Sequence, residues 1–531
     1  MAGKVGFGVC GLECEVVQVL AGVEEPQTFG GWLDSLRLIR HASSAIQIPR
    51  IASLLNPQAV DGSIHVNGFV RTIRKQRHVA FATITDGSST EALQTILTPE
   101  QTKGVTLGSA VQIVGEWKPR PSRQDEYELH VRDLKILGEH DSTSYPIQKK
   151  FHTREFLRTL PHLRSRLKYN ALLLRLRSDV ISRVTSFFEE LEFVQTHTPV
   201  ITSSDCEGAG EVFAVESAAA VAKPSKTAAT HPRPFFREPK YLTVSSQLHL
   251  EALALSVGRV WTLSPTFRAE KSETTRHLSE FYMLEAEVAF VGNVGDLMEL
   301  LEAMLRAVVS KIQSSRLGEE LLLARDDHDK DPENPEITRG ELAARWDGIT
   351  SEEKWPRITY ARAITLLQEA ERSNTTSFEY PPLVGHSLQA EHERYIAQTV
   401  GCGSPVFVTN YPRDIKAFYM APSGESAGSD DIPTVACFDL LVPDVLELAG
   451  GSVREHRFDA LMDSLVRHGL TESKEAGVPK NLQWYADLRR YGSVPHGGFG
   501  LGFDRLLTYL SGVPNVRDVV SFPRWHGRCD C

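Results

Sequence analysis

The sequence PHGGFGLGFDRL, residues 495–506, places four glycines within six positions and continues into an arginine. Because glycine has no Cβ, such a run lets the backbone lie directly against a flat ligand. Arg505 follows where the pattern indicates the start of a helix, and its guanidinium is suited to phosphate. The run matches neither a P-loop nor a dinucleotide-binding fingerprint. It therefore predicts either a nucleotide site of another kind or a close-packed strand–helix junction.

Length and composition restrict the class of protein. The chain has 531 residues, of which 41% are hydrophobic, and this size predicts two or three domains. The formal net charge of −10 argues against general coating of nucleic acid but allows a local basic face. The 7 cysteines are scattered and odd in number, which favours a reducing compartment. The sequence contains no apolar run of about 18 residues, so we expect no membrane span.

The first 58 residues lack the pattern of a domain. Residues 36–58 contain no acidic residue, but they carry Arg37, Arg40 and Arg50 among apolar and small residues, a composition typical of an organelle transit peptide. An acidic segment precedes them, whereas transit peptides begin at the N-terminus. Targeting sequence behind an unusual leader is favoured over a disordered arm. We therefore expect a mitochondrial matrix location, with the cytoplasm as the alternative.

Residues 59–140 carry short alternating segments separated by glycine turns. Five such strands, at 64–70, 79–87, 93–97, 110–115 and 127–131, predict a five-stranded OB barrel.

Basic residues, including Arg71, lie near the first hairpin of this barrel, and Phe81 and Gln94 fall on neighbouring strands. Stacking and amide hydrogen bonds of this kind suit splayed RNA bases. Alternation alone leaves open whether Phe81 belongs to the barrel core instead.

A basic hinge follows at residues 141–178, where nine lysines and arginines are opposed by only Asp141 and Glu155. In an acidic protein this is where a phosphate backbone is expected to bind, and the alternative is a solvated helix face.

Residues 179–531 carry the pattern of a large mixed domain. A long amphipathic helix at 172–191 leads into a strand at 193–201 that contains Pro199. Proline within a strand indicates a sheet edge or a bulge, and such an edge is a candidate subunit interface.

Two alternating segments, 261–270 and 277–288, predict an antiparallel strand pair. The period of two places Arg268 and Glu270 on one face of the first strand, and Phe281, Glu285 and Glu287 on one face of the second. If these faces coincide, one pocket holds an arginine, several carboxylates and an aromatic ring. Surface salt bridges on a hairpin would give the same pattern, although unpaired charges inside a large domain are costly.

A third element, residues 435–454, places Asp439 and Glu447 on flanking apolar strands. Their oxygens suit Mg²⁺ shared with phosphates. The glycines at 450 and 451 bend the chain towards Arg454.

Together these motifs resemble those of the class II aminoacyl-tRNA synthetases. The segment around Arg268 resembles motif two, residues 500–505 resemble motif three, and residues 193–199 resemble motif one, the dimer motif. The order of OB domain, basic hinge and catalytic domain is similar to the aspartyl/asparaginyl/lysyl subclass. Longer strings resemble the asparaginyl enzymes of bacteria and organelles, and they lie at residues 202–213, 267–270, 414–420 and 493–505.

The resemblance covers the chain from about Asp61 onwards. It implies an α+β protein: a five-stranded OB barrel for anticodon binding, and a catalytic domain with an antiparallel sheet flanked by helices. Two segments, near 217–235 and 325–350, depart from the pattern, and we expect both to be solvated insertions.

The resemblance also implies roles in ATP binding. Arg268 would bind the α-phosphate, Phe281 would stack on adenine, and Arg505, helped by His277, would bind the γ-phosphate. Glu270 and Gly502 would belong to the same ATP site, and Asp439 and Glu447 would bind Mg²⁺. The catalytic residues would be Arg268, Glu447 and Arg505.

For the other substrates, the resemblance implies that Glu207 and Gln247 orient the α-amino group of the amino acid. Phe81 would stack on an anticodon base, Gln94 would contact the central uridine, and Arg71 would lie on the same face. The expected partners are ATP, asparagine, tRNA(Asn) and a second copy of the chain, with no membrane.

The choice of amino acid depends on the side-chain pocket. Aspartyl enzymes carry a lysine in a Ser-Pro-Gln-x-x-Lys element, whereas residues 245–250 read SSQLHL and lack that cation. Glu285 can accept from an amide NH₂ while Arg454 donates to the amide oxygen, so asparagine is favoured. The alternatives are an aspartyl-tRNA synthetase, a non-catalytic paralogue that binds RNA, and an asparagine-making ligase.

Overall fold

The computed structural model describes residues 48–55, 63–120, 123–203, 212–217, 235–272, 274–325, 337–427 and 432–531. These residues form two compact units, one within Met1–Asp86 and Ala92–His140, the other from Gly87–Glu91 and Asp141–Cys531. The N-terminal arm up to residue 47 lies outside the described residues, as do most of the first expected insertion and residues 326–336. In the described part of the chain, no helix is both long and apolar enough to cross a membrane.

The first unit is the predicted OB barrel. Its five strands close in the order β1-β2-β3-β5-β4. Alternate side chains point inwards, and the barrel core contains Val66, Ile84, Leu93 and Ile113. The elements of this unit are helix α1, Ile51–Leu54, and strands β1, Ser63–Lys75; β2, Ala80–Thr85; β3, Leu93–Leu97; β4, Ala110–Arg120; and β5, Arg123–Gly138.

The second unit is built on an eight-stranded sheet with strand order β11-β12-β15-β16-β17-β10-β9-β6. The central pairs are antiparallel, and only the pairs at the two edges, β11–β12 and β6–β9, are parallel. Its strands are β6, Val194–Gln195; β9, Arg259–Phe267; β10, Glu280–Ala289; β11, Arg357–Thr359; β12, Val406–Thr409; β15, Cys437–Val442; β16, Leu446–Val453; and β17, His496–Gly502. Two small sheets contain β7, Ile201–Thr202, with β8, Tyr241–Leu242, and β13, Pro422–Ala427, with β14, Ile432–Val435.

Helices cover this sheet, and the largest hydrophobic core contains Val184, Leu305, Phe499 and Leu506. The sequence prediction of an α+β protein with a barrel and an antiparallel catalytic sheet is confirmed. The helices are α2, Arg154–Arg158; α3, Pro161–Arg164; α4, Lys168–Glu190; α5, Gln247–Val257; α6, Val294–Gln313; α7, Arg316–Leu323; α8, Arg339–Thr350; α9, Tyr360–Arg372; α10, Ala390–Thr399; α11, Phe458–Arg467; α12, Gln483–Arg490; α13, Phe503–Ser511; and α14, Val516–Val519.

Several local predictions can be compared with these elements. The long amphipathic helix is α4, and the proline-bearing segment contributes β6, which is indeed an edge strand but only 2 residues long. The glycine run forms β17 and passes directly into α13 at Phe503. Arg268 and Glu270 lie just beyond the end of β9 rather than on the strand.

Two expectations differ from the structure. The segment 325–350 was expected to be a solvated insertion, but its second half is α8, which buries Leu342, Trp346 and Ile349 in the main core. Three apolar residues on one helical face explain why this part packs inwards.

The second difference concerns the basic hinge, residues 141–178, whose lysines and arginines were expected to bind a phosphate backbone. Five of its arginines form ion pairs with acids of the same unit. Asp518 accepts from Arg158 at 2.8 Å, and it also lies near Arg154 and Arg164. Arg175 pairs with Glu320 and Arg177 with Asp504, whereas Lys149, Lys150, Arg166 and Lys168 are exposed.

Candidate active site

The floor of the site is formed by the three central strands β10, β17 and β16. In this register Gly500 lies between Glu285 and Gly450, and Gly498 lies between Glu287 and Ser452. A Cβ on Gly498 would overlap a carboxylate oxygen of Glu287, so only glycine leaves room for that carboxylate. At Gly498 the missing Cβ therefore makes room for a neighbouring carboxylate, whereas Gly500 and Gly502 line the cleft above the sheet.

A cleft with about 640 Å³ of empty space opens above this floor. All seven residues that the sequence assigns to ATP line it, so the structure brings the predicted set together. They are Arg268, Glu270, His277, Phe281, Glu447, Gly502 and Arg505.

The cationic groups of the cleft lie at its rim. The Arg268 guanidinium lies 5.7 Å from the centre of the Phe281 ring and 3.9 Å from a Glu270 oxygen. Arg505 donates to the backbone carbonyl of Glu447 at 2.8 Å. The turn before Glu447 holds Asp444 and Leu446 at φ of 67° and 66°, a left-handed conformation that is costly outside glycine. An aromatic ring with one arginine beside it, and a second arginine lining the same cleft, is suited to a base with its phosphates.

His277 lies inside this ring of charges. Its Nε2 is 3.4 Å from Glu270, and its Nδ1 is within 2.9 Å of the Ser272 hydroxyl. Burial lowers the pKa of His277, and the nearby arginines oppose the attraction of Glu270. A neutral imidazole at neutral pH can still donate one hydrogen bond to a phosphate oxygen.

A group of carboxylates lies around Glu447, which lines the cleft. A Cβ on Gly450 would lie 3.3 Å from Asp439 Oδ1 and 3.4 Å from Glu447 Oε1, so both carboxylates face this glycine. Burial raises the pKa of Asp439, and Lys416 Nζ counters it by donating to both oxygens at 2.9 and 2.7 Å. Burial, together with repulsion from Glu447 and Asp439, raises the pKa of Glu393 to about 7. Mutually repelling oxygen donors of this kind fit a divalent cation.

At the other end of the floor, Glu285 is buried and bound to the chain before α5. It accepts from the Ser245 hydroxyl at 2.5 Å and from the Ser246 amide at 3.0 Å. Burial raises the pKa of Glu285, and these hydrogen bonds act in the opposite direction.

Arg454 has a partner that the sequence did not assign. Glu285 and Arg454 were expected to hold the two ends of one amide, and the structure shows in addition that Arg454 is paired with Glu287. Its Nη2 donates to Glu287 Oε2 at 3.0 Å and its Nε to Oε1 at 3.2 Å. The register agrees with this pairing, because Glu287 lies two residues beyond Glu285 on β10, opposite Gly498.

The Arg454–Glu287 pair belongs to a larger buried network. Glu251 on α5 accepts from Arg489 Nη2 at 2.6 Å, lies 3.1 Å from His496 Nε2 and is 4.0 Å from Arg454. Glu251, Arg489 and His496 have side chains with no solvent exposure. Buried charges require such mutual pairing, and the network fixes the position of Arg454.

Gln247, which the sequence assigned to the α-amino group, lies on the first turn of α5 and donates to Glu251 at 3.1 Å. Glu207 lies outside the described residues.

Sequence reasoning missed the supporting residues Glu251, Arg489, Lys416, Arg276 and Glu393. Some signals were present. Glu251 follows Gln247 by four residues on one helix face, and Lys416 lies in a string already singled out. Arg489 and Glu393 lie on separate helices, so only the tertiary fold brings them close.

The barrel carries its own candidate surface. Phe81 and Thr83 alternate with buried Ala80, Ala82 and Ile84, so Phe81 is outside the barrel core. The open alternative for Phe81 is therefore decided in favour of the outer face.

On that face Gln94 pairs with Thr83 across β2 and β3, and its side chain accepts from Arg120. Arg71 lies at a bulge in β1, and exposed Arg74 stands opposite Phe81. An aromatic ring between basic residues and an amide is suited to single-stranded RNA.

The class of protein follows from fold, site and comparison together: the chain belongs to the class II tRNA synthetases. Residues 153–526 match the family described as "tRNA synthetases class II (D, K and N)". Residues 64–137 match the "OB-fold nucleic acid binding domain".

Individual relatives narrow the similarity to one branch. The chain is 39% identical over 487 residues to the "Asparaginyl-tRNA synthetase" of Mus musculus, covering 90% of this chain and 94% of that protein. It is 40% identical to the "Asparagine--tRNA ligase, mitochondrial" of Schizosaccharomyces pombe, covering 90% and 98%. The crystal structure of asparaginyl-tRNA synthetase from Pyrococcus horikoshii complexed with asparaginyl-adenylate is similar with a TM-score of 0.73 and 28% identity, covering 91% and 99%.

Proposed function

We propose that the chain is an asparagine–tRNA ligase that activates asparagine with ATP and transfers it to tRNA(Asn). The observation that carries this proposal is one sheet floor with a nucleotide cleft at one end and the paired Arg454–Glu287 at the other. The relatives named above, one of them crystallised with asparaginyl-adenylate, support the same activity.

The first reaction needs no general base from the protein. The carboxylate of asparagine attacks the α-phosphorus of ATP, an acyl–phosphate bond forms, and pyrophosphate leaves. Arg268 stabilises the negative charge that builds on the α-phosphate, while Phe281 holds the adenine. Arg505, with the neutral imidazole of His277, holds the γ-phosphate, so catalysis consists of positioning and charge stabilisation.

Mg²⁺ is proposed to bind at Asp439 and Glu447. When bound, the ion neutralises phosphate charge and orients the leaving group. The repulsion among Asp439, Glu447 and Glu393 supports this assignment, because a cation would relieve it. Lys416 already offsets part of that charge at Asp439.

Selectivity for asparagine is assigned to Glu285 and Arg454. The carboxylate of Glu285 accepts an amide proton, and Arg454, fixed by Glu287, donates to the amide oxygen. Aspartate would place a third carboxylate beside the buried carboxylates of Glu285 and Glu287, and the nearby cation, Arg454, is already paired with Glu287. Leaving such polar groups mismatched is expected to discriminate by roughly 10⁴-fold without editing. Glu207 and Gln247 are proposed to orient the α-amino group.

In the second reaction the terminal ribose hydroxyl of the tRNA attacks the acyl–phosphate, which releases AMP. The barrel is proposed to read the anticodon through Phe81, Gln94 and Arg71. The outward orientation of Phe81 beside Arg74 supports this role.

A homodimer is proposed through the edge strand β6. Val194 in β6 is 45% exposed, and Leu191 and Ile201, close to it in sequence, are also exposed apolar residues. Such apolar residues at an uncovered edge favour a partner. Sedimentation should show a dimer for the intact chain and a monomer for Val194→Asp.

We propose that the protein acts in the mitochondrial matrix. The acid-free basic stretch at 36–58 supports this location, and so does the mitochondrial name of the Schizosaccharomyces pombe relative. A fluorescent protein fused to residues 1–58 should enter mitochondria, and a diffuse cytoplasmic signal would favour the alternative.

The function is tested by charging organellar and cytosolic transcripts of both tRNA(Asn) and tRNA(Asp) with labelled asparagine or labelled aspartate in separate reactions. We expect ATP-dependent formation of asparaginyl-tRNA only. Charging with aspartate instead would identify an aspartyl enzyme, and charging with neither would identify a non-catalytic RNA-binding paralogue. Synthesis of free asparagine from aspartate would identify the asparagine-making ligase.

A further inference from the structure

A second cavity adjoins the nucleotide cleft. It contains about 800 Å³ of empty space and shares Arg276, Arg505 and Val516 with the cleft. Both arginines line both spaces, so the second cavity adjoins the end of the cleft at which the phosphates of ATP are proposed to bind.

The walls of the second cavity are strongly cationic. The described lining residues include four arginines, Arg276, Arg345, Arg394 and Arg505, and one acidic residue, Asp444. Asp444 binds Arg345, whose guanidinium also lies 5.2 Å from the centre of the Tyr509 ring.

The remaining arginines are little neutralised. Arg276 lies at 4.0 Å from its nearest carboxylate, Glu393. Arg394 is exposed and makes no ion pair with any described residue. Burial lowers the pKa of Arg276, and repulsion from Arg505 and Arg394 acts in the same direction. A cluster of like charges around an open space is stabilised when an anion binds there.

The rest of the lining indicates which anion fits. Two threonines, Thr275 and Thr508, can donate hydrogen bonds, and apolar residues such as Val445 and Val513 complete the described wall. No aromatic side chain is among the described lining residues, so nothing is present on which a base would stack. A small polyphosphate therefore fits better than a nucleotide.

We propose that this cavity is a second anion site that takes inorganic pyrophosphate after it leaves the nucleotide cleft. The identity of the anion rests on the proposed activation reaction, which produces pyrophosphate beside Arg505. Arg276 and Arg505 hold the anion at the boundary, and Arg345 and Arg394 draw it onwards. A cationic exit of this kind lowers the barrier to release without touching the reacting atoms.

The kinetic test uses pyrophosphate exchange by the full chain with asparagine and ATP. Arg394→Gln is expected to raise KM for pyrophosphate about tenfold, the effect of one charge-assisted contact, and to leave KM for ATP unchanged. Asp444→Asn removes the competing carboxylate from Arg345, so it should lower KM for pyrophosphate. The matched control is Arg362→Gln, an exposed arginine on α9 whose ion pair among the described residues is with Glu369.

A binding test separates this proposal from the proposed function. Inorganic pyrophosphate is titrated calorimetrically into the full chain after the cleft has been filled with a non-hydrolysable ATP analogue. One equivalent should bind the wild type, and binding should weaken about tenfold in Arg394→Gln and in Arg345→Gln. Absence of binding, or equal binding by the variants and Arg362→Gln, would overturn the second site. A chain that binds pyrophosphate here but shows no exchange with asparagine would overturn the activity alone.

Discussion

The two ends of the sheet floor carry the same residue types in different environments. At the nucleotide end, Arg268 and Phe281 are half-buried and face an open cleft. At the amino-acid end, Arg454 is 3% exposed and bonded to Glu287, beside the buried Glu251 and Arg489. In the proposed function, the cations of the first end stay available for the phosphates of ATP. The charges of the second end are already paired, and we propose that this allows it to distinguish a neutral amide from a carboxylate.

This difference determines what each end contributes to stability. Removing a cation from an open cleft leaves water to solvate its neighbours. Removing one from a sealed network leaves a buried carboxylate without compensation, which is much more costly. Mutations at the nucleotide end should therefore affect activity alone, whereas mutations at the amino-acid end should affect activity and folding together.

The largest effect is expected at the nucleotide end. Arg268→Ala should lower ATP–pyrophosphate exchange by about 10³-fold or more, because the charge developing at the α-phosphate loses its main donor. Thermal unfolding and tRNA binding should stay unchanged. The control Arg372→Ala, on the last turn of α9, should behave as wild type. Near-normal exchange in Arg268→Ala would contradict the proposal that Arg268 binds the α-phosphate of ATP.

At the amino-acid end, Arg454→Met should abolish asparagine activation and lower the free energy of unfolding by roughly 3–5 kcal/mol. The carboxylate of Glu287 would remain buried without its cation. The matched control is Arg490→Met on α12, which removes an exposed arginine that lies 3.7 Å from the partly exposed Asp487, so its cost should stay below about 1 kcal/mol. Equal denaturation midpoints for the two variants would show that the buried carboxylates do not depend on Arg454 for their stability.

The same comparison can be made for the outer face of the barrel, which we propose binds the anticodon. Phe81→Ala should raise KM for tRNA about tenfold to hundredfold, since one base loses its stacking partner. Exchange without tRNA should be unaffected. Leu137→Ala, which removes another exposed apolar residue of the barrel, should leave KM for tRNA unchanged. A parallel loss in both variants would point to general damage to the barrel.

The smallest effect concerns pH. Burial alone would lower the pKa of His496, but its hydrogen bond and attraction to Glu251 outweigh burial and raise it. A pKa raised by folding adds stability that is fully present below the unfolded value of about 6.5 and is lost as pH rises through the folded value. As the pH rises from about 6.5 through the folded pKa of His496, the free energy of unfolding should therefore decline more in the wild type than in His496→Gln. Identical pH profiles would mean that the imidazole is not charged in the folded protein.

The two ends also differ in how far the sequence could predict them. The nucleotide end lies on short contiguous motifs, so the resemblance to class II synthetases could assign Arg268, Phe281 and Arg505 to one site, and the structure places all three in one cleft. At the amino-acid end the alternation on β10 placed Glu285 and Glu287 on one face but could not say which of them meets Arg454. That choice depends on strand register against β17 and on α5 and α12, which pack from distant parts of the chain. The packing of α8 into the core was not predicted for the same reason, because it also depends on the tertiary fold. In the sequence, α8 follows an acid-rich segment that is typical of a solvated loop.

The division of labour between the two ends is tested most directly by one ratio, kcat/KM for asparagine over kcat/KM for aspartate in pyrophosphate exchange. We expect roughly 10⁴ for the wild type. Arg268→Lys should lower both values and keep the ratio, whereas Arg454→Lys should collapse the ratio and leave KM for ATP unchanged. A wild-type ratio near one, or a ratio that falls as much with Arg268→Lys as with Arg454→Lys, would contradict the account.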